Sequence, residues 1–375
     1  MKFRIQSNIF SEGINNVSRA LSTKTPMPIL KSIKIDLNEE GIYLTASDST
    51  ITIKQFMPTF IDNKQTIFIE ELGSAAVPGR LLLEVLRKAN DDYIEINMYE
   101  DKYIKINFKN SDFTLNCLDV MEYPNIDLID SNEPIEFDSV KFEQIIKQTV
   151  ISVSTHESRP ILTGVNIKSN ENKLYCISTD SYRLSEKIVE LETPIPNINI
   201  VIPGKSLLDL EKLLLTNRGK LQIHIASNIV SFKIKNITFQ SRLLDGNFPE
   251  TSRLIPKEFG LQLVFNRIEL IDVVDRVSLL SKEGANNIIN LDIYDEKTII
   301  SLDSPEIGKV VEDITPLSQE GSLMRIGFNS KYFLDALKVL NEEKVTIKFT
   351  GEVRPFIIRT NDEFVTQLIL PVRIE

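Results

Sequence analysis

Among the residues able to do chemistry, Gly204-Lys205-Ser206 imitates the end of a phosphate-binding loop. Such a loop needs a glycine five positions before its second glycine, so that backbone N–H groups can cradle a phosphate, and Asn199 stands there. The two histidines, His156 and His224, are too few to assemble a metal centre, and His224 sits in an alternating stretch that reads as a strand. Asp180, close to Ser178 and Ser181, has no partner at a spacing that would make a nucleophile or a base. Cys117 and Cys176 read as buried thiols, without support for a disulfide or a zinc site. Carboxylates are abundant, but none falls at a metal-ligand spacing. The expectation is a non-catalytic protein with no metal and no cofactor.

The basic residues carry more information. Arg80, Glu84 and Arg87 form a basic, acidic, basic triplet at i, i+4, i+7, which recurs as Lys205, Asp209, Lys212 and as Lys331, Asp335, Lys338. One such triplet is an ordinary solvated helix face, whereas three at matching positions point to a shared job. The triplets open at Pro78-Gly79-Arg80, Pro203-Gly204-Lys205 and Asn329-Ser330-Lys331, whose basic residues are 125 and 126 positions apart, about a third of the 375-residue chain. These are good helix-start signals. A second set of three, Phe3 to Ser22, Ile135 to Ser154 and Leu263 to Ser281, reads as a short strand leading into an amphipathic helix. Ile14, Val17 and Leu21, then Phe142, Ile145 and Ile146, then Leu270, Val273, Val274 and Val277 form the stripes.

Between the helices the chain alternates with period two, as in Tyr103 to Phe108, Leu221 to Ile225 and Val345 to Phe349. Each third therefore reads as two helices on antiparallel sheet, an α+β arrangement, with domains at 1–128, 129–255 and 256–375. With helices placed at 8–24, 77–90, 138–154, 203–220, 266–282 and 329–340, the helical segments hold 16 basic and 10 acidic residues, although the chain as a whole carries a net charge of −10. Helices gathered on one cavity would then attract a polyanion that the rest of the protein repels. The plainer reading is ordinary helix-surface charge. The N-terminal residues lack an apolar targeting stretch, and no apolar run approaches the length of about 18–20 residues that crosses a bilayer, so a cytosolic protein is expected.

Five short motifs complete the pattern: Thr25-Pro26-Met27-Pro28-Ile29-Leu30, Arg159-Pro160-Ile161-Leu162-Thr163-Gly164, Thr179-Asp180-Ser181-Tyr182-Arg183-Leu184, Asp245-Gly246-Asn247-Phe248-Pro249 and Leu370-Pro371-Val372-Arg373. In this order and spacing, along essentially its whole length, the chain resembles the bacterial DNA polymerase sliding clamps, the beta subunits of the DNA polymerase III holoenzyme. The resemblance implies a head-to-tail homodimeric ring of three-domain subunits, lined by helices and walled by sheet. It would encircle double-stranded DNA without sequence specificity and be cytoplasmic and nucleoid-associated.

It further implies a seam between Phe113 and Leu115 of one copy and Leu279 and Leu280 of the next. Phosphate contacts would come from Lys24, Arg80, Arg159 and Lys205, with His156 as a polar contact. A pocket for short peptides of the replicative polymerase, the clamp loader and repair proteins would comprise Leu162, Thr179, Ser181, Tyr182, Arg183, Leu184, Pro249, Arg253, Leu254, Val353, Leu370, Pro371, Val372 and Arg373. Ser181-Tyr182 stands where some members of the family carry Gly-His, and Leu370 and Val372 where some carry methionines. A second reading keeps the fold and the dimer as an interaction scaffold that no longer encircles DNA.

Overall fold

Every strand-to-helix passage expected from the pattern is present. The computed structural model describes residues 1–22, 25, 27–89, 91–130, 133–280, 287–295, 297–304, 308–362 and 364–374. Among them lie six α-helices: α1 Ser7–Val17, α2 Gly79–Leu86, α3 Ser139–Val150, α4 Gly204–Thr216, α5 Arg267–Val277 and α6 Ser330–Lys338. Strands Lys2–Gln6, Ile135–Asp138 and Leu261–Asn266 run directly into α1, α3 and α5; strands Gly73–Pro78, Asn199–Pro203 and Met324–Asn329 run into α2, α4 and α6.

Local chemistry sets these starts. Asp138 accepts the N–H groups of Val140 and Lys141 at 2.9 and 3.1 Å, Asn266 that of Glu269 at 3.1 Å, and Asn329 those of Lys331 and Tyr332 at 3.0 and 3.2 Å. Each such cap contributes about 1 kcal/mol by satisfying donors that the helix leaves unpaired. The Pro-Gly openings use glycine for a different reason. A Cβ on Gly79 would lie 2.4 Å from a terminal methyl of Leu21, so any larger residue would push the Leu21 side chain aside.

The helices are shorter than the sequence pattern predicts, and this corrects the charge argument. Pro78 belongs to a strand, paired with Ser32, and the helical turn after α1 tightens to a 3-10 turn over Ser18–Ala20. Within their actual bounds the six helices carry nine basic and nine acidic residues, and the expected positive excess vanishes. Much of it moves to Arg19, Arg87, Lys88 and Arg218, just past helix C-termini. Cations there complement the helix dipole, which contributes about 0.3–1 kcal/mol each. Helix charge alone does not argue for a polyanion.

Four sheets of four or more strands organise the described residues, and every ladder in them is antiparallel. The contacts divide the chain into two compact units, one of residues 1–142 with 208–243 and the other of residues 143–207 with 244–375. The middle third is thus shared between units, because sheets continue across the thirds.

In the first unit an eight-stranded sheet joins strand Ile51–Pro58 to strand Ile237–Arg242, with Ile51 opposite Ser241. In the second, a nine-stranded sheet joins Arg183–Glu190 to Val365–Ile369, with Arg183 opposite Ile369. The other two sheets have five and four strands and end at strands Ser111–Asn116 and Gly308–Ile314, respectively. Cores form under the amphipathic stripes: α5 and α6 bury Leu270, Val273, Val274, Val277, Phe333, Ala336 and Leu337 with Phe328, Phe349 and Phe356. Each of the Val, Leu and Phe side chains stabilises by about 1.5–3 kcal/mol on burial. The Phe328, Phe333 and Phe356 rings meet at centroid distances of 4.7 to 6.2 Å.

Candidate functional site

The turn from Thr179 to Leu184 organises the second unit's nine-stranded sheet at one end. Thr179 Oγ1 donates to the Arg183 carbonyl at 2.7 Å and accepts the Ser181 N–H at 3.1 Å. Asp180 Oδ1 accepts the N–H groups of Tyr182 and Arg183 at 2.9 and 3.0 Å. This side-chain-to-backbone pattern replaces a backbone turn bond. It holds Ser181 in the left-handed region at φ 79° and leaves Tyr182 outward, 63% exposed.

Arg183 is fully engaged inside the protein. Its guanidinium meets Asp180 at 3.0 Å and Asp335 at 2.8 Å, and lies 4.3 Å from the centroid of the Tyr332 ring. Burial, followed by the nearby Asp180 charge, raises the Tyr332 phenol above its usual pKa. Arg183 therefore fastens the turn to α6. The sequence shows Asp180 without a role and Asp335 only as a member of the third charged triplet, and nothing in it marks Tyr332. That triplet is not equivalent to the second, where Asp209 meets Lys212 at 3.4 Å.

The predicted pocket residues divide by exposure. Leu184 and Leu162 are buried, Leu184 in a cluster with Ile177, Ile357 and Leu368 against which Phe248, Ile255 and Phe259 pack. The chain leaves strand Val365–Ile369 with the Leu370 N–H donating to the Tyr182 carbonyl at 2.9 Å, and the Val372 N–H reaches Gly327 at 2.7 Å. Leu370 is thereby brought beside the turn, and Pro371 and Arg373 follow the same course in sequence. Leu254 and Val353, 52% and 66% exposed, offer apolar surface to solvent. Arg253 and Leu254 line a cavity of about 660 Å³ with Phe259, Arg354 and Pro355. Pro249 follows Phe248, which anchors that segment. Arg354 was not foreseen; nothing in its spacing marks it.

The remaining predicted residues lie elsewhere. Arg80 and Lys205 stand exposed in the first turns of α2 and α4. His156 and Arg159 are exposed on the segment before the 3-10 turn Pro160–Thr163. Lys24 lies outside the described residues. Phe113, 36% exposed, and Leu115 sit on the outer strand Ser111–Asn116, while Leu279, 57% exposed, and Leu280 follow α5. Cys176 is fully buried, with its thiol pushed up to about 12, and half-buried Cys117 is pushed up to about 11, each by desolvation. His224 is buried in its strand with Nδ1 3.4 Å from Asp130. No helix among the described residues is long and apolar enough to cross a membrane.

Comparison with known proteins adds the lineage of this arrangement. Models of the DNA polymerase III beta subunit match the chain in three pieces, the N-terminal domain at residues 1–127, the central domain at 136–250 and the C-terminal domain at 252–373. The chain is 43% identical over 376 residues to the beta sliding clamp of Bacillus subtilis (strain 168), with 100% of each covered. It is 39% identical over 374 residues to that of Staphylococcus aureus (strain Mu50 / ATCC 700699), covering 100% of this chain and 99% of the relative. The crystal structure of the DNA polymerase sliding clamp from Bacillus subtilis superposes with a TM-score of 0.95 at 42% identity, over 100% of both chains.

Proposed function

The chain belongs to the DNA polymerase III beta subunit family, the sliding clamps, which are non-catalytic processivity factors, and we propose that it closes head to tail with a second copy into a ring around duplex DNA. The observation that carries the ring is the inventory of sheet edges. Twice within the chain, a domain's final strand, Ile237–Arg242 or Val365–Ile369, completes a sheet begun by the preceding domain. The corresponding final strand of the first domain, Ser111–Asn116, and strand Gly308–Ile314 of the third are outer strands of short sheets. Pairing them between copies gives a nine-stranded sheet, the size already present in the second unit. Unpaired strand edges are sites for such addition, and a head-to-tail contact that closes makes a ring. Exposed Phe113, Leu279 and Val311 supply apolar surface for that seam. The three matched segments support domains at 1–128, 129–255 and 256–375.

A topological tether needs only weak, sequence-independent attraction to phosphate, because base-specific contacts would trap it on its track. We assign that attraction to Lys24, Arg80, Arg159 and Lys205, with His156 as a polar contact. The site around the Thr179–Leu184 turn is assigned to short peptides of the replicative polymerase, the clamp loader and repair proteins, at the nucleoid in the cytoplasm. Its exposed Leu254, Val353 and Leu370 suit an apolar anchor residue. Two such sites on a dimer would add avidity.

Converting Lys24, Arg80 and Lys205 together to glutamate is expected to abolish loader-dependent retention on nicked circular DNA while the dimer survives gel filtration. Unchanged retention would remove those residues from the DNA contact.

A further inference from the structure

The first unit contains a turn that repeats, hydrogen bond for hydrogen bond, the one that builds the candidate site in the second. Ser47 Oγ donates to the Ile51 carbonyl at 2.9 Å and accepts the Ser49 N–H at 3.3 Å, as Thr179 does with Arg183 and Ser181. Asp48 Oδ1 accepts the N–H groups of Thr50 and Ile51 at 2.9 and 2.8 Å, as Asp180 does those of Tyr182 and Arg183. Ser49 is left-handed at φ 76°, beside 79° for Ser181. The exit strand repeats too: the Arg242 N–H donates to the Thr50 carbonyl at 2.9 Å, as that of Leu370 does to Tyr182. Both units place a buried leucine from a Pro-Ile-Leu 3-10 turn in this region of the chain, Leu30 and Leu162.

Against this first turn lies a cavity of about 400 Å³, contained entirely within the unit. Met27, Leu30, Pro124, Ile126 and Ile229 give it apolar walls. Its size falls near the low end of the roughly 300–1,000 Å³ range of ligand pockets, room for a few residues and not for a folded domain. Two charged residues line it, Asp127 and Arg242. Asp127 already accepts a hydrogen bond from Asn125 at 3.3 Å, whereas the exposed Arg242 guanidinium has no ion pair among the described residues. In the second unit the corresponding position is the apolar Leu370.

We propose that this cavity is a second peptide site, which takes a short segment carrying an aliphatic side chain followed by a carboxylate. The walls bury the aliphatic group, and Arg242 pairs with the carboxylate through charge-assisted hydrogen bonds. That added charge distinguishes it from the second-unit site, so the two would select different sequences. The peptide class of the occupant rests on the reading of the second-unit site; the cavity and its cation do not.

The test is methyl NMR of the full-length protein labelled at Met, Ile, Leu and Val methyls, titrated with acetyl-Ala-Leu-Asp-Ala-amide. Met27 and Ile229 should shift saturably, with half-saturation at or below about 1 mM. Arg242→Gln, or asparagine in place of the probe's aspartate, should weaken that binding at least about tenfold. Thr50→Trp, at an exposed position on the cavity lining, should block it. Movement of Leu254 and Val353 with Met27 silent would overturn this inference and leave the second-unit reading intact. Movement of Met27 with Leu254 and Val353 silent would support it, since the two sites select different sequences. Silence at both would overturn this inference.

Discussion

The turn at Ser47–Thr52 and the turn at Thr179–Leu184 share a backbone and differ in what their side chains do. In the first, Ile51 is buried and the exit strand presents Arg242; in the second, Arg183 is locked to Asp180 and Asp335 and the exit strand presents Leu370. Asp48 and Asp180, together with Ser47 and Thr179, fix the scaffold in both. A repeated fold therefore holds geometry constant while a few positions on it reset charge and rigidity. The second turn is the more firmly anchored, and it carries the exposed apolar Tyr182.

The largest expected break in this comparison is removal of Val372 to Glu375. Loss of the Val372 bridge to Gly327 should weaken a polymerase-derived peptide by about 100-fold, a typical hot-spot loss, in a fluorescence titration. The first turn, which lies in the other unit, should keep its NMR spectrum, and the dimer should persist. Arg183→Met comes next. It strands Asp180 and Asp335 at a mostly buried junction and should lower stability by about 1–3 kcal/mol in urea unfolding. Ile51→Val, at the corresponding position, should cost about 0.5–1.5 kcal/mol through lost packing alone.

Removing the shared scaffold should sharpen the contrast further. Asp48→Ala loses two backbone acceptances and should cost about 1 kcal/mol; Asp180→Ala loses the same pair and the ion pair, and should cost more, about 2 kcal/mol. The smallest effect has the opposite sign. Ser49→Gly and Ser181→Gly relieve a left-handed serine and should each stabilise by about 0.5 kcal/mol, equally in the two turns, by thermal melting. Unequal gains would show that the two backbones are not equivalent.

Much of this architecture was legible in sequence because the apolar stripes of α1, α3, α5 and α6 follow helical periodicity and recur by thirds. Helix ends were less legible: Pro78 completes a sheet ladder with Ser32, a long-range fact that no local signal carries. Overshoot at the C-terminal ends of α2 and α4 placed Arg87, Lys88 and Arg218 inside helices and created a charge excess the structure lacks. In the candidate site, the Thr179 to Leu184 motif was visible, but the duty of Arg183 was not, since Asp335 lies 152 residues away. The first-unit counterpart had a signal that went unread: Ser47-Asp48-Ser49 against Thr179-Asp180-Ser181, at an offset of 132.

The central claim is topological, and one measurement reaches it directly. The protein is loaded on nicked circular DNA with an ATP-dependent clamp loader, freed of excess by gel filtration, and the DNA is then cut once with a restriction enzyme. Encirclement predicts retention on the circle and release on linearisation as the ring slides off the ends; protein that stays bound to the cut DNA, or that is never retained on the circle, would contradict it.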